Sequence, residues 1–492
     1  MRSVNEFRWL GPAQDALWPR WLFLRALGLI FFSAFYSLAF QIRGLIGARG
    51  MLPAGEYLAR IASAVPMPAR WWYAPTLFWF DASDRALMAV VAAGLVASVL
   101  VVANIWPRLT IACCTLLFLS CISTLQDFSS YQSDGMLLEA GLLSLFFAPP
   151  GVRPGLAAEH PPSFPSLFML RWEWFRIYFE SGVVKLASGD PHWRYLTAMD
   201  DYYQNGPLPA WPGWYVQEHL PHAFHAATAL ATLVIELVIV WMLFLPRRFR
   251  IACALIVTPL QLGIIVTANY AFLNYLVLVL GVLLLDDRVL ERVGLRVPAG
   301  EPQPATGAER IWRGWIPTAI LAWLFYATIM AFAPGSETPL LLPARILEPF
   351  RVANAYGLFA TMTDNRYEIE FQGSKDNGAT WTPYPFRYKP QDPVKRPGIY
   401  APYQPRFEWN LWFASLAPWQ QSPWVLATQQ RLIEGSPSVL ALFKRDPFEG
   451  KPPPRVRAVL WQYWFADPAT KKNTGAWWTR RFLGLFTPVD SL

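Results

Sequence analysis

The sequence has little charge and few of the residues that usually build catalytic or metal sites. Of its 492 residues, 15% are charged, four are cysteine and five are histidine. The cysteines lie inside apolar runs and form no C-x-x-C pair, so we interpret them as small buried side chains. They are Cys113, Cys114, Cys121 and Cys253. They offer no disulfide framework, and cysteine therefore does not identify the compartment.

Several catalytic motifs are also missing. No G-x-S-x-G elbow occurs, which argues against an α/β-hydrolase, and neither H-E-x-x-H nor G-x-x-x-x-G-K-[ST] is present. His219, His222 and His225 lie close together in EHLPHAFH, where Pro221 interrupts the turn. A metal site is one interpretation of this cluster, and histidines facing solvent or a membrane interface are the other, which we favour. We therefore predict neither a bound metal nor a cofactor.

Hydrophobic residues are abundant, at 54% of the chain with 25 Trp and 33 Phe, and they form runs of about 20 residues. This composition is typical of a polytopic membrane protein, with the lipid bilayer as a partner. The net charge of +8 predicts basic loops on one side of the membrane. It does not predict a nucleic-acid partner, because no basic cluster interleaves with aromatics. The predicted spans are Trp21–Gln41, Ala86–Ile105, Leu109–Leu125, Leu137–Ala148, Leu167–Leu186, Ala226–Leu245, Ile251–Ala268, Phe272–Leu285 and Ile316–Phe332.

The basic loops predict an orientation for these nine segments, of which we interpret the first as a retained anchor. Short loops rich in arginine should face the cytoplasm, which places the N-terminus inside and everything after Ala333 outside. The arginines of these loops are Arg247, Arg248, Arg250, Arg288, Arg292, Arg296, Arg310 and Arg313. The loop 42–85 does not fit this orientation, because it is rich in arginine and yet lies on the predicted outer side. We interpret it as a re-entrant or interfacial stretch. Its arginines are Arg43, Arg49, Arg60, Arg70 and Arg85.

The character of the sequence changes after residue 333. We predict a membrane all-α bundle of about nine transmembrane helices in residues 1–333 and a β-rich (α+β) extramembrane C-terminal domain in residues 334–492. Aromatic and apolar residues alternate in RYEIEF and again around WTPYPF, which predicts antiparallel strands. A helical pattern follows around Trp424–Phe443. The ending GAWWTRRFLGLF fits either a membrane surface or packing on the β-domain, and we favour packing.

The turn between the predicted strands resembles an Asp-box hairpin. In that motif Ser and Asp side chains bond the turn backbone and a Trp packs beneath it. We interpret the motif as a folding device rather than a functional site. Its residues are Ser374, Asp376, Gly378, Thr380 and Trp381.

Charged side chains inside the apolar runs are the main candidates for function. Such residues usually face the bundle interior and pair with one another. They are Arg25, Glu139, Glu173, Arg176, Glu180, Lys185 and Glu236. On the fifth segment Glu173, Arg176 and Glu180 share one helix face, and the last two stand at the favourable i, i+4 spacing. We therefore predict a structural ladder of ion pairs along this helix.

Lys185 does not belong to that ladder, because it lies about 140° around the helix from Glu180. One interpretation is that its ammonium extends to the interface or pairs with a carboxylate, since the chain leaves the membrane soon afterwards at Gly189-Asp190. The other is that it points into a cavity, where desolvation makes lysine a usable base. Physical reasoning favours the first interpretation.

Several motifs, in order, closely resemble the lipase maturation factor family from about Gly44 to the end of the chain. They are YQSDGMLLEAGLLSLFFAPP, RWEWFRIYFESGVVKLASGDPHWRYLTAMDDYYQNGPLP, LVIELVIVWMLFLPRRFR, ANYAFLNYLVLVLGVLLLDD, YQPRFEWNLWFASL and RVRAVLWQYWFADPATKKNTGAWWTRRFLG. The resemblance implies a multi-pass protein of the endoplasmic reticulum membrane that lets secreted lipases reach an active, assembled state. For a bacterial chain, the membrane would be the inner one.

The same resemblance draws attention to a loop on the lumenal side. The loop residues that match the family are Asp190, Trp193, Arg194, Leu196, Thr197, Met199, Pro207 and Pro209. Where the family would show a pattern like YHYETQPLP, this chain carries Tyr202, Gln204 and Gly206 in place of His, Glu and Gln. A role for those three side chains is therefore not expected here.

A second and shorter resemblance concerns Lys185. The pattern Tyr-Phe-x-x-Gly-x-x-Lys, followed by Asp and Trp, is similar to a helix of the vitamin K-dependent γ-carboxylase group and its horizontally transferred transmembrane-domain relatives. In that group, a lysine at the matching place deprotonates a reduced quinone. This likeness covers about fifteen residues.

Two hypotheses follow. The first is a membrane folding or maturation factor whose outer loop and C-terminal domain contact lipase-like client proteins. Trp409, Trp412 and Phe413 are candidates for client contact, with packing in the domain core as the alternative. The second is a membrane enzyme in which Lys185 acts as general base on a lipid-soluble, quinone-like substrate, tuned by Glu139, Glu180 or Glu236. We favour the maturation factor.

Overall fold

The computed structural model describes residues 12–298, 314–332 and 339–491, and its first part is helical. The helices up to residue 332 are α1 Leu17–Ile46, α2 Ala54–Ala64, α3 Ala69–Tyr73, α4 Asp84–Val102, α5 Pro107–Ile122, α6 Gln132–Phe147, α7 Phe164–Ala187, α8 Pro191–Arg194, α9 Tyr202–Asn205, α10 Trp211–His219, α11 His222–Leu237, α12 Arg247–Thr267, α13 Leu273–Gly281, α14 Asp287–Glu291 and α15 Ile316–Phe332. Short 3₁₀ helices over Ile239–Phe244 and Val282–Leu284 continue α11 and α13.

Each of the nine predicted apolar segments lies on one of these helices. Local signals fix several helix starts: the Ser83 and Ser163 side chains cap α4 and α7, and Pro107 opens α5. In the described part of the chain, four helices are long and apolar enough to cross a membrane, so nine crossings are not confirmed. These four are Leu17–Ile46, Asp84–Val102, His222–Phe244 and Arg247–Thr267.

The connecting segments gather on two opposite faces of the bundle. The first, which we call the N-terminal face, holds residues 12–20, 104–108, 148–163, 246–250 and 286–296. There Arg247 donates to Asp286 at 2.8 Å, and the Asp287 carboxylate accepts the N–H groups that begin α1. Arg20 donates to carbonyls of the 148–163 segment. The predicted positions Arg310 and Arg313 lie outside the described residues.

The second face, which we call the C-terminal face, holds residues 47–83, 188–222 and 339–491. Arg431 donates to the carbonyl of Gly50, and Ser436 donates to that of Arg49. The arginine-rich loop 42–85 therefore lies against the C-terminal domain, as the predicted topology requires. Two short helices, α2 and α3, lie within this loop.

The C-terminal region combines a small antiparallel sheet with short helices. Its strands follow the order β2-β1-β3-β4, and β5 also pairs with β3. The elements are α16 Leu342–Arg345, β1 Arg366–Ser374, β2 Thr382–Pro383, α17 Arg406–Ser415, α18 Trp424–Ile433, α19 Pro437–Leu440, β3 Arg455–Phe465, α20 Pro468–Thr474, β4 Trp478–Leu485 and β5 Asp490–Ser491. Further 3₁₀ turns cover Leu77–Trp79, Gln126–Ser129, Pro339–Leu341, Glu348–Phe350 and Trp419–Gln421.

The predicted hairpin of two long strands is only partly present. β1 pairs with β2 at two positions, whereas it pairs with β3 along its whole length, from Arg366 opposite Tyr463 to Ser374 opposite Arg455. Pro383 and Pro385 explain the short β2, because proline offers no N–H to a ladder. The helical pattern predicted around 424–443 is likewise divided in two, at Gly435, which has a φ of 64°.

Two predictions for this domain are confirmed. The Asp-box turn forms as expected: Ser374 and Asp376 side chains accept N–H groups from Gly378 and Thr380 at 2.8 Å. The aromatic ending forms β4 on the sheet edge, so it packs on the domain.

One hydrophobic core runs through the whole molecule, from α1 to Trp478 of β4. The predicted domain boundary at 333/334 lies outside the described residues, so its position stays a prediction. The described residues on either side of it share this single core.

Candidate functional site

The predicted ladder along α7 is wrong, because the charges of this helix pair with other elements. Arg176 forms a buried ion pair with Glu139 of α6 rather than with Glu180, and its guanidinium also donates to the Asn354 carbonyl at 2.6 Å. Glu139 accepts in addition from the Tyr356 hydroxyl at 2.8 Å. Tertiary packing has overridden the weak helix-surface pairing that the i, i+4 spacing offered.

Glu180 and Glu173 differ in what surrounds them. Glu180 accepts the backbone N–H of Tyr356 at 2.6 Å, so it ties the start of the C-terminal region to α7. Glu173 is fully buried, and among the described residues neither of its carboxyl oxygens has a hydrogen-bond partner. The charged groups nearest to it electrostatically are Glu139 and Arg176.

A second buried ion pair joins the bundle to the C-terminal domain. Arg406 of α17 donates to both carboxylate oxygens of Asp134 on α6, at 2.7 and 2.8 Å, and to the Phe128 carbonyl. Both side chains are fully buried. The two residues belong to YQSDGMLLEAG and YQPRFEWNLWFASL, motifs about 270 positions apart. Sequence reasoning listed the motifs but missed the pair.

Lys185 combines features of both interpretations drawn from the sequence. Its ammonium donates to both oxygens of Glu236 on α11, at 2.9 and 2.8 Å, and lies 5.1 Å from the centre of the Trp193 ring. The side chain is 2% exposed, so it pairs inside the protein and does not reach the interface.

The same pair also lines a cavity of about 250 Å³ between α7, α11, α12 and α13. The lining is mostly aromatic and aliphatic, with Gln261 and Asn274 hydrogen-bonded to each other at 2.8 Å. Residues 193–203 and 358–362 close the cavity on the C-terminal face. The arrangement provides a small, largely apolar space with a few hydrogen-bonding groups.

The loop after α7 is anchored to the C-terminal region. Asp190 caps α8 by accepting the N–H of His192 at 2.7 Å, and its other oxygen accepts the Met362 N–H at 2.6 Å. Trp193 is buried and donates to the Phe359 carbonyl at 2.9 Å. Through these contacts the loop forms part of the cavity wall beside Lys185.

The divergent stretch 202–209 makes contacts through both its backbone and its side chains. The Arg366 guanidinium of β1 donates hydrogen bonds to three backbone carbonyl oxygens of this stretch, those of Gln204, Gly206 and Pro207. The Pro209 carbonyl accepts from Asn269. The Gln204 side chain also takes part: it donates to Asp201 at 2.8 Å and accepts the Phe465 N–H at 2.9 Å, so the expectation that it has no role is wrong.

Arg25 is the one predicted charge of the first apolar run, and Arg194, Thr197 and Met199 are predicted residues of the loop after α7. Arg25 stacks on Trp21 at 4.9 Å. Arg194 is exposed, Thr197 is half-buried and Met199 is buried in the cavity wall.

The aromatic residues proposed for client contact lie on α17 and not on a strand. Trp409 is 7% exposed and packs against Tyr131 and Tyr270 of the bundle, so it is a core residue and not a contact surface. Trp412 is half-buried. Phe413 is 45% exposed and is the one of the three that a partner could reach.

The three clustered histidines have separate partners. His222 contacts Asp200 at 3.0 Å, His225 lies against the Leu220 carbonyl, and His219 packs on Trp214. Over the described ranges, no group of three His, Cys, Asp or Glu residues is arranged to hold a metal ion.

Comparisons with known proteins cover nearly the whole chain. A family model described as the lipase maturation factor transmembrane domain matches residues 18–292, and one described as the lipase maturation factor C-terminal domain matches residues 352–488. No solved structure matches.

Individual relatives agree with these matches. Lipase maturation factor 1 of Bos taurus is 30% identical over 508 residues, which cover 95% of this chain and 88% of the relative. Lipase maturation factor 1 of Homo sapiens is 30% identical, over 96% and 88% of the two chains. Lipase maturation factor 2 of Rattus norvegicus is 30% identical, over 96% and 83%. The chain, with its apolar helices, is a membrane protein that belongs to the lipase maturation factor family.

Proposed function

We propose that this protein is an integral membrane factor that helps exported lipases reach an active, assembled state. The observation that carries the proposal is the way the bundle holds the C-terminal domain. Two buried ion pairs, Arg406–Asp134 and Arg176–Glu139, lie where the bundle meets residues 354–406. A domain fixed in this way presents a defined surface beside the membrane, which suits a protein that acts by contact.

The surface proposed for client contact includes Phe413 of α17 and Leu416, which directly follows this helix; they are 45% and 40% exposed. Exposed apolar side chains on a rigid element are typical contact points for partners. The C-terminal domain faces the lumen of the endoplasmic reticulum or, in a bacterium, the outside of the inner membrane, where exported lipases fold.

The test is co-expression with a candidate lipase in cells that lack the native gene. We expect the intact protein to raise secreted lipase activity per unit of lipase antigen. Phe413→Ser should reduce this gain, and Phe482→Ser is the matched control, since Phe482 is equally exposed but lies on β4. Unchanged specific activity across several lipases would contradict the proposal.

The enzyme hypothesis has one observation in its favour, the cavity beside Lys185. Against it, both oxygens of Glu236 bond to the Lys185 side chain, so a substrate would have to displace this carboxylate before its proton could come within hydrogen-bond distance of Nζ. A Lys185→Arg protein that keeps the ion pair and the full lipase-maturing effect would exclude catalysis by this lysine. Loss of the effect, with normal folding, would favour it.

A further inference from the structure

The cavity beside Lys185 opens sideways, between α11 and α12. Phe224 and Thr228 of α11 and Pro259 and Gly263 of α12 line it, each four residues from the next on its helix. Phe224 is 43% exposed, and a Cβ placed on Gly263 would meet no atom within 4 Å. Because α11 and α12 both have the length and composition of membrane spans, this opening faces hydrocarbon.

The charges of the cavity cancel one another. Lys185 and Glu236 are the charged residues among those that line it, and they are bonded to each other at 2.8–2.9 Å. A charged headgroup would therefore be buried without a counter-ion, at a cost of several kcal/mol. A neutral group loses less solvation and can hydrogen-bond to the carboxylate of Glu236 or to the amides of Gln261 and Asn274.

The size of the cavity limits the ligand further. A cavity of roughly 150 Å³ holds a benzene ring. About 250 Å³ therefore accepts a compact headgroup with the beginning of one chain, and is too small for the double-chain region of a phospholipid.

We propose that this cavity binds a neutral, single-chain lipid with a hydroxyl-bearing headgroup. The headgroup lies at the Lys185–Glu236 pair and the chain leaves between α11 and α12 into the bilayer. This inference concerns binding and requires no reaction. It goes beyond the maturation role, and either can fail without the other.

The experiment uses the full-length protein in lipid nanodiscs and a monoacylglycerol with a photoreactive diazirine in its chain. After irradiation, labelled peptides are identified by mass spectrometry. We expect labels on residues 224–236 and 259–267. Unlabelled monoacylglycerol should displace the label, whereas a fatty acid, which is anionic at neutral pH, and an alkane should compete about tenfold less well.

Two variants of α12 make the test specific. Gly263→Trp should close the opening without displacing a neighbour and reduce labelling about tenfold, since open space surrounds its Cβ. Leu255→Trp is the matched control, because Leu255 is 67% exposed on the same helix and does not line the cavity. Equal labelling of both variants, or equal displacement by the alkane, would overturn the proposal. Thermal unfolding of each variant verifies that it is folded.

Discussion

At the scale of single residues, Lys185 shows how a membrane interior treats an ionisable group. An isolated ammonium in hydrocarbon costs several kcal/mol, and the protein avoids this cost by placing Glu236 of α11 against it. The pair remains next to a cavity, so pairing and cavity, which the sequence presented as alternatives, occur together.

The Lys185–Glu236 ion pair predicts how the stabilities of its single and double variants should compare. Glu236→Gln leaves a buried ammonium without its counter-charge and should lower the free energy of unfolding by about 3–5 kcal/mol. The double variant Lys185→Met with Glu236→Gln should lose clearly less than the sum of the two single variants, because no charge is left unpaired. Denaturant unfolding in detergent measures all three. Additive losses would show that the two side chains are not coupled.

Asp190, which lies outside the membrane spans, predicts that the stability of the folded protein depends on pH. Burial opposes ionisation of its carboxyl, but hydrogen bonds from Met362 and His192 outweigh burial and hold the pKa below its ordinary value. The charged form is thus favoured in the folded state. Its stabilising contribution is present above pH ~4 and is lost as the pH falls through the lowered pKa.

The variant Asp190→Asn should therefore be less stable than the native protein at neutral pH, by about 1.5–3 kcal/mol. The difference should begin to shrink below pH ~4, where the carboxyl of the unfolded chain takes up a proton, and should vanish once the pH falls through the lowered pKa of the native carboxyl. Thermal unfolding of both proteins across this range is the measurement. A difference that does not change with pH would mean that the charge of Asp190 is unimportant.

At the scale of elements, the sequence predicted where the helices lie along the chain far better than it predicted which charged residues pair with each other. Apolar runs of helical length located nine helices, because burial in hydrocarbon demands a local pattern. The pairs Arg176–Glu139, Lys185–Glu236 and Arg406–Asp134 join residues 37, 51 and 272 positions apart, and no local rule specifies such distances. The local rule that was available, i, i+4 pairing, selected Glu180 and was wrong.

The Arg406–Asp134 pair tests the connection between α6 and α17. Arg406→Ala should destabilise the protein by about 3–5 kcal/mol, because Asp134 is left charged and buried. The surface pair Arg431–Glu434 is a control on the same domain, and Glu434→Ala should cost about 1 kcal/mol or less, because it removes the charge pair and leaves the bond from Arg431 to the Gly50 carbonyl in place. Limited proteolysis should release the C-terminal domain faster from Arg406→Ala than from the native protein. Similar effects of the two substitutions would contradict this assignment.

At the scale of the whole molecule, the composition changes at residue 333, but the described residues on either side of that position share one core. One continuous hydrophobic core joins the helices to the sheet. Residues 188–209 contact the C-terminal domain as well as the bundle. The two compositions are those expected of one part that meets lipid and another that meets water. The sequence could not reveal their docking, which depends on pairs far apart in the chain.

The two faces of the bundle predict a membrane topology in which loop 42–85 lies on the outer side, contrary to the rule that arginine-rich loops face the cytoplasm. Arg49 and Lys472 lie on the C-terminal face and Arg248 on the opposite one, and all three are exposed. In a background without reactive cysteine, Arg49→Cys and Lys472→Cys should react with an impermeant maleimide added outside spheroplasts or inside opened microsomes. Arg248→Cys should react from the cytoplasmic side alone. The docking of loop 42–85 on the C-terminal domain should outweigh its arginines in fixing its side. Labelling of Arg49→Cys together with Arg248→Cys would place the loop in the cytoplasm and contradict the contacts that hold it.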